Sequence, residues 1–283
     1  MSKVAIVTDT VASMPRDLIK TLGIRVVPMQ LIVDGKIYRD MVDIQPDEFW
    51  KMFKKIKKFS SAAPIPGDFV KAFQEAANET DGIACTVISK ALSAAYQSAT
   101  QAKEIVNMDR PNLKIEIIDS KAYTGAEGFV AIEGARAAQA GKDLTEVVQV
   151  MQDMVKKVKS VCAMETLKYL IRSGRAPKTA YLGELVGVKP IVGGVSGTGL
   201  TEMLGRVIGK EKSHERLVEM IGEYTDTSRP LHVMVHYTDK IEDGQKVLEM
   251  VRAKYQCAES YLTFQSPLSG GHTGPIVVIT FYS

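Results

Sequence analysis

Between Gly82 and Asn107 the chain turns from strand-forming to helix-forming within a few residues, and that switch constrains the fold more than any other stretch. The run Cys85-Thr86-Val87-Ile88 is apolar and partly β-branched, as strands favour. It breaks at Ser89-Lys90-Ala91-Leu92-Ser93, and Ala94-Ala95-Tyr96-Gln97-Ser98 opens a long helix-forming segment. A strand feeding a helix is half of a βαβ unit, and such units build parallel sheets. The junction also puts Ser89 and Ser93 near a helix N-terminus, where free amides and the positive dipole end attract anions. Ile88–Ser98 holds no His, Asp or Glu to activate either serine, so it reads as an anion-holding site and not as a catalytic triad.

The alternation runs through the first half of the chain. Val4–Val7 reads as a strand ending in Thr8-Asp9-Thr10, and Pro15 opens a short helix that Gly23 closes. Ile24–Val33 is β-rich, and Asp34-Gly35 is a hairpin turn before the strand Lys36–Arg39. A helix is expected over Asp47–Lys57. Phe59–Asp68, with two prolines and a glycine, is expected to be an irregular loop. Helices follow at Phe69–Asn78, Leu92–Asn107 and Gly125–Ala140, with strands at Gly82–Ser89 and Leu113–Ile118. Asp143-Leu144-Thr145-Glu146 has the form of a capping box.

The second half changes character. It has short helices at Leu167–Ser173 and Thr179–Val186 and longer ones at Glu211–Tyr224 and Ile241–Tyr255. Strands are expected at Lys189–Gly193, Leu200–Val207, Leu231–His236, Ser260–Phe264 and Ile276–Phe281. The fold class is therefore α/β in two domains. Residues 1–160 form a parallel-sheet α/β domain carrying the anion site, and residues 161–283 an α+β domain with a mixed sheet. The boundary falls near Lys159–Met164, and a ligand cleft is expected between the two.

Composition excludes several classes. A net charge of +3 is too small to argue for nucleic acid, although Lys168–Lys212 carries eight bases against Glu184, Glu202 and Glu211. Cys85, Cys162 and Cys257 have neither zinc nor disulfide spacing, and no histidine pair has metal spacing, so no metal and no cofactor is expected. The apolar runs are strand-length, the N-terminus reads as a strand and not a signal peptide, and a reducing cytoplasm fits the cysteines.

Polar residues gather at Thr8-Asp9-Thr10, at Ser89 to Ser93 and at Asp119-Ser120-Lys121, where ligands of open parallel sheets bind. Ser61 lies in the proline-rich stretch between two of these strands. Gly270-Gly271-His272-Thr273-Gly274-Pro275 is expected to hold His272 in a tight loop before the last strand, as a hydrogen-bond or proton-transfer group at the mouth of the site. Gly193–Gly199 lacks the context of a phosphate loop and reads as a loop between strands. A rival reading makes Ser93 and His272 a serine hydrolase or acyltransferase pair, against which no orienting acid is evident.

The ordered pieces Ala5-Ile6-Val7-Thr8-Asp9-Thr10, Ser60-Ser61 to Pro66-Gly67-Asp68-Phe69, Ile88-Ser89 to Leu92-Ser93-Ala94-Ala95-Tyr96-Gln97-Ser98, Gly174-Arg175 and His272-Thr273-Gly274-Pro275 resemble the DegV family of bacterial fatty-acid-binding proteins. The resemblance runs nearly end to end. It implies a carrier without catalysis of its own, holding a long-chain fatty acid in a tunnel between the domains. The carboxylate would be bound by Ser61, Ser93, Ala94 and His272. A separate ATP-dependent fatty acid kinase would receive the acid through Arg175, Arg206 and His272, making an acyl phosphate for phospholipid synthesis, with transient membrane contact. The chain departs from the family pattern at Ser61-Ala62-Ala63 and Ala94-Ala95, which have fewer hydroxyl and glycine residues than usual.

Overall fold

The computed structural model describes residues 4–176 and 187–283. The helix expected over Thr179–Val186 lies outside the described residues. In chain order the first half holds β1 (Val4–Asp9), a 3-10 turn at Thr10–Ala12, α1 (Arg16–Leu22), β2 (Arg25–Val27), β3 (Gln30–Val33), β4 (Lys36–Arg39), α2 (Pro46–Phe53), β5 (Phe59–Ala62) and α3 (Pro66–Ala77). It continues with β6 (Gly82–Val87), α4 (Ala95–Asp109), β7 (Lys114–Asp119), α5 (Gly125–Gln139) and α6 (Leu144–Lys157). The second half holds β8 (Lys159–Met164), α7 (Lys168–Arg172), β9 (Val188–Gly194), β10 (Glu202–Ile208), α8 (Lys210–Tyr224), β11 (Leu231–Tyr237), α9 (Ile241–Lys254), β12 (Cys257–Phe264), α10 (Pro267–Thr273) and β13 (Ile276–Tyr282).

Three sheets result. The first is wholly parallel in the order β2-β1-β6-β7, as the strand-to-helix alternation requires. Every residue of β1 and β6 is buried, which is why these strands read as near-continuous apolar runs and not as alternating ones. The second is mixed, in the order β10-β9-β8-β13-β11-β12, with only β11 and β12 parallel. The third is a small antiparallel sheet, β4-β3-β5. The Asp34-Gly35 turn joins β3 to β4 with both residues at positive φ, 50° and 90°, as a two-residue hairpin needs.

Helix α5 lies between the two large sheets, packed on β1 and β6 on one side and on β8, β11 and β13 on the other. Its small residues make that possible. A Cβ on Gly125 would fall 2.4 Å from His236 Cε1, and one on Gly128 would fall 2.7 Å from the Ala12 carbonyl oxygen. Helices α3 and α4 cover the far face of the first sheet, and α8 and α9 that of the second.

A polar network ties α5 to the second sheet. Arg136 donates to Glu133 (2.6 Å) and to both oxygens of Glu259 (2.8 and 2.5 Å), while His232 and Tyr261 also bond Glu259, and Tyr282 bonds Glu133. Burial alone would raise the Glu259 pKa, but these partners outweigh it and pull it down to about 2. That stabilisation is present above the ordinary carboxylate range and is lost as pH falls toward 2. Glu259→Gln is expected to cost about 2 kcal/mol at neutral pH, because it leaves Arg136 partly buried without its main partner; urea denaturation checks this. Glu133, His232 and Glu259 place ligand atoms within 4.8 Å of one another, but Arg136 already donates to both carboxylates.

Two expectations from sequence are corrected. The Phe59–Asp68 stretch is not irregular: Phe59–Ala62 pairs with β3, and Pro66 starts α3. Proline is compatible with the first helical turn because its missing N–H would be unpaired there anyway. His272 is not in a loop but in α10, which Pro267 starts and Ser266 caps by accepting from the Ser269 amide. Gly270 and Gly271, poor helix formers, are there for close packing. A Cβ on Gly270 would meet Trp50 at 2.7 Å, and one on Gly271 would meet Phe59 at 2.0 Å. Among the described residues no helix is long and apolar enough to cross a membrane.

Candidate functional site

The carboxyl ends of β1 and β6 are joined by a buried aspartate. Asp9 accepts from the Val11 amide (2.8 Å) and from the Ile88 amide (3.0 Å), so the chain leaves β6 in a fixed direction. Burial raises the Asp9 pKa to about 6 despite these bonds. The following turn is set by Ser89, whose amide donates to Ala122 O and whose carbonyl accepts from the Leu92 and Ser93 amides. Ser93 Oγ then accepts from the Ala95 amide at 3.2 Å, at the start of α4.

Ser61 reaches the same place from β5, whose register sets it opposite Leu31. His272 comes from α10, and its Nε2 lies 2.7 Å from Ser61 Oγ. Its ring stands edge-on to Phe59 at 5.0 Å. Burial, and then the positive charges of Arg175 and Arg172, push the His272 pKa down to about 3, so the ring is neutral at physiological pH. A second buried aspartate holds α10: Asp40 Oδ1 accepts from the Leu268 amide at 3.2 Å, and burial raises its pKa to about 6.

Ser61, Ser93 and His272 line one narrow cavity between the two halves of the molecule. Most of its wall is apolar, contributed by residues such as Val11 and Met29 from the first half and Met164, Val192 and Val278 from the second. A largely apolar wall with a few convergent polar groups is the usual form of a small-molecule site. Arg175 also lines it. Its side chain donates to the carbonyls of Leu92 (3.3 Å) and Ser173 (3.1 Å), and among the described residues it has no carboxylate partner. Desolvation lowers its pKa, as for a cation withdrawn from water.

The structure thus brings together Ser61, Ser93, His272 and Arg175. Ala94 is the exposed N-cap residue of α4 and Arg206 is exposed on β10; neither lines the cavity. Ser93 and His272 share no hydrogen bond: the serine oxygen serves Ala95, and the imidazole serves Ser61. His272 Nδ1 has no partner among the described residues, so no acid orients it as in a hydrolase triad. Of the basic residues between Lys168 and Lys212, Lys189 pairs with Glu165 and Lys210 with Asp243, while Lys178 lies outside the described residues. The Gly193–Gly199 stretch connects β9 to β10, with the Glu202 carboxylate accepting from the Val195 and Ser196 amides.

Sequence reasoning missed Asp40, Thr124 and Gln265. Thr124 and Gln265 line the cavity, and Thr124 Oγ1 and Gln265 Oε1 are buried without hydrogen-bond partners among the described residues. A threonine before a helix and a glutamine after a strand carry no signal of that kind in sequence.

The model of the DegV family, described as an uncharacterised protein family, matches residues 3–283. A DegV domain-containing protein of Caldanaerobacter subterraneus is 29% identical over 283 residues, covering 100% of this chain and 99% of that one. The structure of a DegV family protein from Thermus thermophilus, concerned with fatty acid binding, superposes with a TM-score of 0.90 at 25% identity, covering 99% of each chain. The fold is also that of a DegV family protein from Ruminococcus gnavus, with a TM-score of 0.91 at 14% identity and 99% and 100% coverage. With its parallel first sheet, its mixed second sheet and a family match spanning all but the first two residues, this chain belongs to the DegV family.

Proposed function

We propose that this protein binds a long-chain fatty acid in the interdomain cavity, with the carboxylate at Ser61, Ser93 and His272 and the chain along the apolar walls. One observation carries the reading: a largely apolar cavity, lined also by Ser93 and Arg175, in which the Ser61 hydroxyl is already held by a neutral histidine. With its proton on Nε2, His272 donates to Ser61 Oγ and leaves the serine O–H free to donate to an anion. Ser93 adds a second hydroxyl, and Arg175 supplies a positive charge that has only carbonyl partners.

Magnitudes divide the work. Burial of each methylene is worth about 0.8 kcal/mol, so a chain of about fifteen supplies on the order of 12 kcal/mol before costs. Hydrogen bonds to a carboxylate add about 1.5–3 kcal/mol each. The walls set affinity and the hydroxyls set which end faces out. The Thermus relative concerned with fatty acid binding supports this reading. A partner ATP-dependent kinase then phosphorylates the presented carboxylate for phospholipid synthesis in the cytoplasm, approaching over Arg175 and the exposed Arg206 and touching the membrane only transiently. The carrier needs no cofactor of its own.

Calorimetric titration of delipidated protein with palmitate and with methyl palmitate tests the orientation. Palmitate is expected to bind at least tenfold more tightly, and Ser93→Ala to weaken palmitate by roughly ten- to a hundredfold while leaving the ester little changed. Equal affinities for acid and ester would remove the head-group assignment.

A further inference from the structure

On the fatty-acid reading, we propose that the cavity selects an acyl chain that carries a hydroxyl group along its length. Two of the unpartnered polar atoms in the wall, Thr124 Oγ1 and Gln265 Oε1, support this; among the described residues the others are Tyr123 Oη and His272 Nδ1. Thr124 and Gln265 are each about 2% exposed, and they come from different halves of the molecule. Thr124 precedes α5, and Gln265 links β12 to α10. Gln265 donates its backbone amide to Tyr237 O at 2.9 Å, yet its side-chain Oε1 has no partner. Buried polar groups left unpaired are rare and unfavourable, so a wall that retains them is suited to a ligand that pairs them.

Thr124 carries a second sign. It is the N-cap residue of a 15-residue helix, where a threonine hydroxyl ordinarily accepts from the first turn. Here it makes no cap bond, and its backbone sits at φ 55° and ψ −142°, a conformation that is unusual for a β-branched residue. Strain of this kind, kept at a ligand cavity and not resolved into a cap, is characteristic of functional sites.

The chemistry of the pair narrows the ligand. Gln265 Oε1 is an acceptor and needs a donor. Thr124 Oγ1 can donate or accept. A hydrocarbon chain serves neither. A keto oxygen can accept from Thr124 but gives nothing to Gln265. An alcohol O–H can donate to Gln265 Oε1, and it can accept from or donate to Thr124 Oγ1.

Delipidated full-length protein, titrated with stearate and with a series of hydroxystearates whose hydroxyl moves along the chain, decides the matter. An ordinary apolar tunnel disfavours every hydroxystearate, because the hydroxyl is desolvated without return. The proposal expects one position in the series to bind roughly tenfold more tightly than stearate. Thr124→Val and Gln265→Met should invert that order, weakening the preferred hydroxystearate by about tenfold and tightening stearate. If every hydroxystearate binds wild-type protein more weakly than stearate, the proposal is overturned and the two atoms hold water only. That comparison uses the wild-type chain, so it stands even where a variant fails to fold. Protein that binds neither stearate nor any hydroxystearate overturns both this proposal and the fatty-acid reading beneath it.

Discussion

Gly271→Ala is expected to destabilise the protein by about 3 kcal/mol and to weaken fatty-acid binding by two orders of magnitude. A Cβ at this position would fall 2.0 Å from Cζ of Phe59 and within 2.5 Å of two further ring atoms. Phe59 has little room to retreat. It is the first residue of β5, packs against Phe49 at 6.0 Å between ring centres, and faces the His272 ring on its other side. Helix α10 must therefore lift from β5. Lifting α10 separates His272 Nε2 from Ser61 Oγ, so the stability and binding losses have one cause. Urea denaturation and palmitate titration measure the two. Gly35→Ala, at a turn with nothing within 4 Å of its Cβ but with φ of 90°, should lower stability by only about 1 kcal/mol and leave binding intact. A Gly271→Ala protein with unchanged stability would mean that α10 is not seated as described.

The second large effect depends on pH. Asp40 is buried, and its pKa is raised to about 6 from 3.8, chiefly by burial, with its hydrogen bonds opposing. The folded protein thus holds this proton more tightly than the unfolded chain does. The contribution to stability is fully present below pH 3.8 and is lost as pH rises through 6, a change of about 3 kcal/mol. Asp40→Asn removes the titration while its side-chain oxygen can still accept from the Leu268 amide. Relative to wild type, the variant should gain about 2 kcal/mol between pH 4 and pH 6.5. Denaturation midpoints across that range check the slope, and parallel curves for the two proteins would contradict it. His272 acts in the opposite sense. Its pKa is depressed from 6.5 to about 3, so its contribution is present above 6.5 and falls away as pH drops toward 3. The residue that positions α10 and the residue that α10 presents therefore oppose each other in acid.

Much of this fold was legible because local chemistry and tertiary structure agree. The apolar runs of β1 and β6, the positive-φ turn at Asp34-Gly35 and the Asp143–Glu146 capping box each carry their own reason for being where they are. Strand β5 was not legible. Its four residues sit just before two prolines, and only pairing with β3 makes them a strand. Helix α10 was hidden for the converse reason: Gly270 and Gly271 argue against a helix locally, and contact with Trp50 and Phe59 outweighs that propensity. Ser61, Ser93 and His272 could be named from sequence, but the bond between Ser61 and His272 spans 211 residues and no local pattern encodes it. The resemblance implies Arg175 as a kinase contact, and the structure makes it part of the cavity wall as well. Ala94 comes with its motif, but its small side chain makes no cap hydrogen bond and is not part of the cavity lining.

The central claim is that the interdomain cavity holds a fatty acid by its carboxylate. Mass spectrometry of organic extracts from protein purified under native conditions tests it most directly. The expected result is a long-chain acid near one equivalent per chain, lost or strongly reduced in the Ser61→Ala/Ser93→Ala double variant at equal fold stability. Wild-type protein that yields no acyl chain, and takes up none when offered palmitate or stearate, would contradict it.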